Sequence, residues 1–295
     1  MKKLVVLAIF ASICLSVAAV RAADDPKCAQ LVADSERLWL AQDFNGSDKA
    51  LDEAMKLCPK MAELYWRKAR NDYDRIEMIP RDRKPSKDQL IARYRGIEKL
   101  ADQCAALAPN DGNCYQWKAI GMGRRGTTQG MLNSLGEAPA LERTFLKAEK
   151  LAPQYRASNG TANSLGDIYD GLSQFYRVVP EWLCTFGIRQ IVGVCGDLKK
   201  SVAYGRKAVA REPKRIEYQK DLAVSLICLG QKHDDPNAVA EGKKILAGIQ
   251  SLPNVKYSDP IDKQHAQQIL KDPNLACGYS RDAQQEQSQD NFKGK

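Results

Sequence analysis

Residues 97–123 read IEKLADQCAALAPNDGNCYQWKAIGMG, and this stretch decides the fold. Ile97, Ala101, Ala105 and Ala108 recur at three- and four-residue steps, the period of a helix with one buried face. Pro109 then stops that helix, because proline lacks an N–H and clashes with the preceding turn. A second amphipathic stretch follows at once. The plan recurs in ALDEAMKLCPKMAELYWRKAR (50–70), FLKAEKLAPQYRASNGTANSLGDIYDGL (145–172) and YGRKAVAREPKRIEYQKDLAVSLICLG (204–230).

The prolines of the four segments are Pro59, Pro109, Pro153 and Pro213, spaced by 50, 44 and 60 residues. Each segment resembles the second helix of a tetratricopeptide (TPR) unit running into the first helix of the next. The regular TPR period is about 34 residues, so the longer, uneven spacings imply divergent hairpins with inserted loops. No window alternates apolar and polar residues long enough for a sheet. The expected fold is all-α, a TPR-like array of antiparallel helical hairpins (an α-solenoid) stapled by disulfides. It occupies residues 23–279, with a solvated loop at 80–87 (PRDRKPSK) and a disordered polar tail at 280–295.

Residues 1–22 (MKKLVVLAIFASICLSVAAVRA) have the basic start, apolar middle and small-residue end of a secretory signal. Val20 and Ala22 suit the −3 and −1 positions of a cut after Ala22. That cut removes Cys14 and lowers the formal net charge from +9 to +6. A lipid anchor on Cys14 is the competing reading, but Ile13 at −1 is bulky where a lipobox needs Gly or Ala. Export argues against a cytosolic enzyme and a cytosolic nucleic-acid binder, and no later stretch reaches the ~20 apolar residues of a membrane span. The expected location is the periplasm, with an extracellular or outer-membrane-anchored protein as alternatives. Two glycosylation triplets, at Asn45 and Asn159, do not decide between them.

Eight cysteines remain, an even count suited to an oxidising compartment. Placed on the hairpin plan, nearest neighbours pair as Cys28–Cys58 (ends of hairpin 28–43 and 48–58), Cys104–Cys114, Cys184–Cys195 and Cys228–Cys277. A zinc or redox site is the alternative. It would want C-x₂₋₄-C spacing with further Cys or His, and here the closest pairs are C-x₉-C and C-x₁₀-C with two histidines in the chain. No metal and no cofactor is expected.

Gly121-Met-Gly123-Arg-Arg-Gly126 matches G-x-G-x-x-G, but a dinucleotide fingerprint must follow a strand and open a helix. The preceding NCYQWKAI is helical, so the glycines are read as the end of a helix. His233 falls in a turn-like run and His265 on a polar, exposed helix face. No G-x-S-x-G or H-E-x-x-H is present, and carboxylates read as charge scattered over helix surfaces. No catalytic set emerges, so the protein is expected to be non-enzymatic. Lys and Arg (45) are interspersed with Asp and Glu (36), so the basic balance gives no nucleic-acid stripe. Tyr115, Trp117, Lys118, Arg124 and Arg125 form the main basic–aromatic cluster, with a solvated helix end as the plainer reading.

Residues 113–230 carry Trp117-x-Ala119-x-x-x-Gly123-Arg124, Leu141-Glu142-Arg143, Ala148-Glu149-Lys150-Leu151-x-Pro153, Asn159-Gly160 and Leu165-Gly166-x-x-Tyr169. Val179-Pro180, Gly196-Asp197-Leu198-Lys199-Lys200, Lys207-Ala208-x-x-x-x-Pro213, Asp221-Leu222-Ala223 and Leu229-Gly230 follow in order. This succession resembles the TPR-like T-components of periplasmic TRAP transport systems. The resemblance implies a non-enzymatic helical scaffold with a cleft, able to form homo-oligomers and to serve a periplasmic solute-binding protein that ferries small ligands. The chain departs from the family in lacking a lipobox, in its eight cysteines and in an enlarged segment after Tyr169.

If a ligand lines that cleft, the expected contacts are Trp117, Arg124, Asn159, Tyr169, Tyr176 and Trp182. Core packing is the competing reading for each aromatic, and a turn for Asn159-Gly160. The expected function is an exported interaction scaffold, accessory to solute binding or transport. The alternative is a soluble carrier of a small apolar or anionic ligand, with segment 182–195 lining or lidding its cavity.

Overall fold

A computed structural model of the chain describes residues 25–79, 83–185 and 188–281. The expected signal, residues 80–82 of the expected loop, and the tail from 282 onward lie outside them. The described residues hold fourteen α-helices and no strand, apart from one isolated bridge between Arg156 and Asn163. In order they are α1 Pro26–Leu40, α2 Phe44–Leu57, α3 Ala62–Glu77, α4 Lys87–Leu107 and α5 Gly112–Gln129. Next come α6 Met131–Ser134, α7 Ala138–Leu151, α8 Ser164–Val178, α9 Ile188–Val192 and α10 Leu198–Arg211. α11 Ile216–Lys232, α12 Pro236–Ile249, α13 Asp259–Lys271 and α14 Leu275–Gly278 complete the chain. The fold is all-α, a TPR-like array of antiparallel hairpins.

Local chemistry explains the boundaries. Asp25, Asp43, Ser86, Asp111, Asn163, Asp197 and Asp235 each accept a backbone N–H of the helix they open, which satisfies donors the first turn would otherwise leave bare. Ser86 and Gln89 complete a capping box on α4. At the other ends, Pro59, Pro109, Pro153 and Pro213 each follow the C-cap residue directly, as the sequence pattern requires. Three of these turns close on the same bond. The amides of Met61, Asp111 and Arg215 donate to the carbonyls of Cys58, Ala108 and Glu212, each at 3.0 Å.

The fourth turn departs from this plan. Between Pro153 and α8 an inserted loop runs to Asn163, and its Tyr155 packs on Trp66 with ring centroids 4.9 Å apart. The Tyr155 hydroxyl donates to Glu36 of α1 at 2.7 Å. The insert therefore ties the middle of the array to its first hairpin.

Successive helices pack in sequence, and α3, α5, α8 and α11, the first helices of their hairpins, also touch one another. They form the inner wall, with α2, α4, α7, α10 and α12 outside. The core is a chain of apolar clusters between the layers, for example Trp66, Tyr94, Ile97 and Trp117, then Phe145, Ile168, Leu172 and Phe175, then Val224, Ile227, Leu246 and Ile269.

Four cysteine pairs lie at bonding distance: Cys28–Cys58, Cys104–Cys114, Cys184–Cys195 and Cys228–Cys277, with Cα separations of 6.6, 5.4, 5.1 and 4.7 Å. Gly196 lets the third loop close, because a Cβ there would lie 1.9 Å from the Val179 carbonyl oxygen.

Three local expectations change. Gly121–Gly126 lie inside α5, which continues to Gln129, so they do not end a helix. His265 is buried (3% exposed), its Nδ1 3.0 Å from the Tyr279 hydroxyl, because α13 packs that face against α11 and the last turn. Ser280 and Arg281, placed in the tail by the sequence reading, are instead seated against the inner wall. His233 does sit in a turn, capping α11 beside Glu181.

Candidate functional site

The inner helices line a cavity of about 290 Å³, near the lower end of the ~300–1,000 Å³ usual for ligand pockets. Contacts between distant parts of the chain close it. Asp74 on α3 accepts a hydrogen bond from Trp39 Nε1 of α1 at 2.7 Å and from the Tyr257 hydroxyl, before α13, at 3.0 Å. Arg281 approaches Glu77 of α3 at 3.8 Å, so the last described residue meets the second hairpin.

One wall is polar and nearly dry. Arg70 is 1% exposed, lies 3.7 Å from the Trp39 ring centroid and pairs with Glu36 at 2.9 Å. Glu217 of α11 sits between Arg215 (3.2 Å) and Lys256 (3.1 Å). Burial pushes the Glu217 carboxyl up, but the cations Lys256 and Arg215 outweigh it and hold the group well below the ordinary range. Lys220 pairs with Asp262 at 2.7 Å and Asp221 at 3.5 Å, all three being almost wholly buried.

Gln174 Nε2 donates to both Asp170 (2.7 Å) and Asp221 (3.2 Å), bridging two carboxyls across α8 and α11. Burial first, then the neighbouring Asp221 and Glu217, push Asp170 well above the usual carboxylate range. Burial likewise raises Asp74, against the pull of Lys256 and Arg70.

The other wall is apolar. Leu135, Ala138, Leu141, Phe145, Phe175 and Val179 face the cavity from the α5–α7–α8 side. Cavity and charge together suit binding of a small molecule. Several acids on the wall are held by Arg, Lys, Gln or hydroxyl partners, an arrangement of positioned ions.

The six expected contacts divide. Trp117, Arg124 and Asn159 line the cavity. Arg124 is held there by Glu77 at 2.7 Å. Asn159 tops a turn, accepting from the Thr161 amide and hydroxyl, so it is both turn and wall. Tyr169 and Tyr176 point elsewhere, into the groove of α7, α8 and α10, where both pack against Tyr204. Lys207 lies 4.5 Å from the Tyr204 ring centroid there, and Tyr176 donates to Glu142.

Trp182, in the turn just before Cys184, is 57% exposed, and Ile191, in the loop closed by Cys184 and Cys195, is 86% exposed. None of the described residues of segment 182–195 lines the cavity, so for them the expectation of a lining role is corrected. Of the basic–aromatic cluster, Trp117 and Arg124 face the cavity. Lys118 pairs with Asp102 and Arg125 with Glu98, both on α4, while Tyr115 donates to the Pro109 carbonyl.

Arg70, Asp74, Asp170, Arg177, Lys220 and Asp221 were missed as site residues. The available signal was the spacing of Asp167, Asp170, Gln174 and Arg177 at steps of three and four, a polar stripe on one face of α8.

Two groups of cysteine plus aspartate converge, Asp25–Cys28–Cys58 and Cys104–Asp111–Cys114. In each the two sulfurs are bonded to one another, which leaves a single carboxylate donor. No described helix is long and apolar enough to cross a membrane.

No family model matches the chain, and no curated protein does. Among solved structures it is similar to the MamA protein, at 12% identity and a TM-score of 0.42, over 78% of this chain and 98% of that one.

Proposed function

We propose that the protein is an exported, non-enzymatic helical-hairpin scaffold that holds a small ligand in the cavity of its inner wall. The carrying observation is that this concave face is closed across its ends by Trp39, Asp74 and Tyr257 and still leaves about 290 Å³ between a charged wall and an apolar one. Four bonded cysteine pairs fit a periplasmic setting. The resemblance of residues 113–230 to TRAP T-components supports an accessory role, passing ligand to or from a periplasmic solute-binding protein.

Protein purified gently from cell envelopes should carry about one small organic molecule per chain in native mass spectra, lost on denaturation. Gly123→Phe should abolish it. Gly123 borders the cavity, and a Cβ there meets only Leu141 at 3.9 Å, so a large side chain enters the free space. Protein that is empty in every preparation and takes up no amphiphile would refute the carrier reading.

A second role as a protein partner rests on a separate feature. Trp182, in the turn that leads into the disulfide-closed loop, and Ile191, within the loop, are both presented to solvent, and exposed apolar residues of this size on one segment suit a contact surface. Cross-linking in intact envelopes from position 182 should capture one partner; capture of none would remove this role.

A further inference from the structure

Buried charges are normally paired, because an unpaired one loses its hydration without compensation. Seven cations line the cavity, and six have a carboxylate within 4.0 Å: Arg70 with Glu36, Arg124 and Arg281 with Glu77, Arg215 and Lys256 with Glu217, and Lys220 with Asp262. Arg177 of α8 is the exception among the described residues. It is 6% exposed, donates through Nη1 to the Tyr279 carbonyl at 2.7 Å, and its Nε–H has no partner. Asp221, the carboxylate that acts on it most strongly, is engaged by Lys220 and Gln174.

About two turns away on the same helix face, Asp170 also carries an unpartnered atom. It is 5% exposed and its Oδ1 has no partner. Burial and the adjacent Asp221 and Glu217 push this carboxyl well above the usual carboxylate range, which favours the protonated form, and a protonated carboxyl can donate a hydrogen bond. Beside this polar stripe α8 shows the cavity a second stripe, Gly171, Phe175 and Val178. One helix thus offers an anion-binding edge next to an apolar edge.

We propose that the cavity binds a small monocarboxylic acid, its carboxylate paired with Arg177 and hydrogen-bonded by Asp170, its apolar body lying along Phe175, Leu141 and Phe145. A monoanionic carboxylate matches the one lining guanidinium that has no carboxylate within 4.0 Å. This assignment rests on the ligand-holding reading above and adds the chemistry of the guest.

The test is calorimetric titration of the purified, ligand-stripped full chain with octanoate, octylamine and octanol at neutral pH. Octanoate should bind at one site and more tightly than either of the others. Arg177→Gln should weaken octanoate by about ten- to a hundred-fold, the loss expected for a charge-assisted hydrogen bond, while leaving octanol unchanged. Arg177 also braces Tyr279, so circular dichroism must show the variant folded; if it is not, Arg177→Lys, which keeps the charge, replaces it and should lose about three- to ten-fold. Asp170→Asn, a neutral isostere, should keep octanoate affinity within about three-fold; a gain of about ten-fold or more would mean that Asp170 is ionised and would overturn its role.

Octanol or octylamine binding as tightly as octanoate, or octanoate unaffected by Arg177→Gln, sinks the carboxylate site and leaves the carrier reading standing. Failure of all three probes to bind, with no molecule co-purifying, sinks both.

Discussion

Lys220→Met tests whether the buried charges of the inner wall act as a balanced set. Methionine keeps most of the apolar stem and removes the ammonium. Two carboxylates lose the same ammonium at once: Asp262, fully buried and 2.7 Å from Nζ, and Asp221, 2% exposed, 3.5 Å away and left with Gln174. Asp262 keeps the Ser258 hydroxyl at 3.2 Å, which cannot replace a cation. Breaking a buried pair from one side costs about 3–5 kcal/mol, since the stranded charge stays dry.

The pH dependence follows from the direction of the Asp262 shift. Burial pushes that carboxyl up, but Lys220 and then Arg281 pull it below its ordinary value. A depressed carboxyl contributes stability that is present above its unfolded pKa and lost as pH falls through its folded one. With Lys220 gone, burial dominates and the pKa rises. The penalty is then full near neutrality, where Asp262 must be ionised or hold a costly proton, and shrinks toward acid pH.

Urea unfolding at about pH 7.5 and about pH 4.5 should show the loss of about 3–5 kcal/mol at the first and clearly less at the second. Lys220→Met with Asp262→Asn should recover about 1–3 kcal/mol of it at the higher pH. A loss below about 1 kcal/mol near neutrality, a penalty that does not change with pH, or no recovery in the double variant would refute this account.

The remaining predictions concern stability. Removing Cys228–Cys277, which spans 49 residues, should cost about 4 kcal/mol, and removing Cys104–Cys114, which spans 10, about 3 kcal/mol, by loop entropy; urea midpoints in the reverse order would contradict this. Gly123→Ala, inside α5 with an unobstructed Cβ, should raise stability by about 0.5–1 kcal/mol in the same assay, and a loss would show that the position needs glycine. Ser86→Ala removes the capping box of α4 and should cost about 1 kcal/mol by thermal melting at constant far-ultraviolet signal. Because the ends meet at Asp74, probes in α1 and α13 should lose structure at one urea concentration; separated transitions would show that end closure contributes little.

The hairpins were legible because each joint is chemically local. A proline after the C-cap and a small-residue helical stripe suffice to place Pro59, Pro109 and Pro213 at tight turns. The site was less legible because its burial is created by contacts far apart in sequence. Asp170, Lys220 and Asp221 look like solvated surface charge until α8 and α11 become neighbours and the last turn covers them. The sequence reading set His265 on an exposed face for the same reason, since its polar neighbours gave no sign that Tyr279 would cover it. Trp117, Arg124 and Asn159 were found because a motif picked their positions, whereas Tyr169 and Tyr176, on the same helix, turn away from the cavity by their place on its circumference.

Closure explains why so many charges are tolerated inside. In an open array each hairpin rests on its neighbours and the concave face stays hydrated. Here the Tyr155 insert binds the middle of the chain to α1, and Asp74 joins Trp39 to Tyr257 across 183 residues of sequence from one side. Ions that an open groove would leave in water become buried and must pair, which is why Glu217, Lys220 and Arg70 each sit within reach of an opposite charge. A wall that enforces pairing at every other cation gives meaning to the one it leaves unmatched. Either the dry guanidinium of Arg177 is a standing cost to the fold, or the fold keeps it for a partner that arrives from outside, and the apolar stripe beside it favours the second.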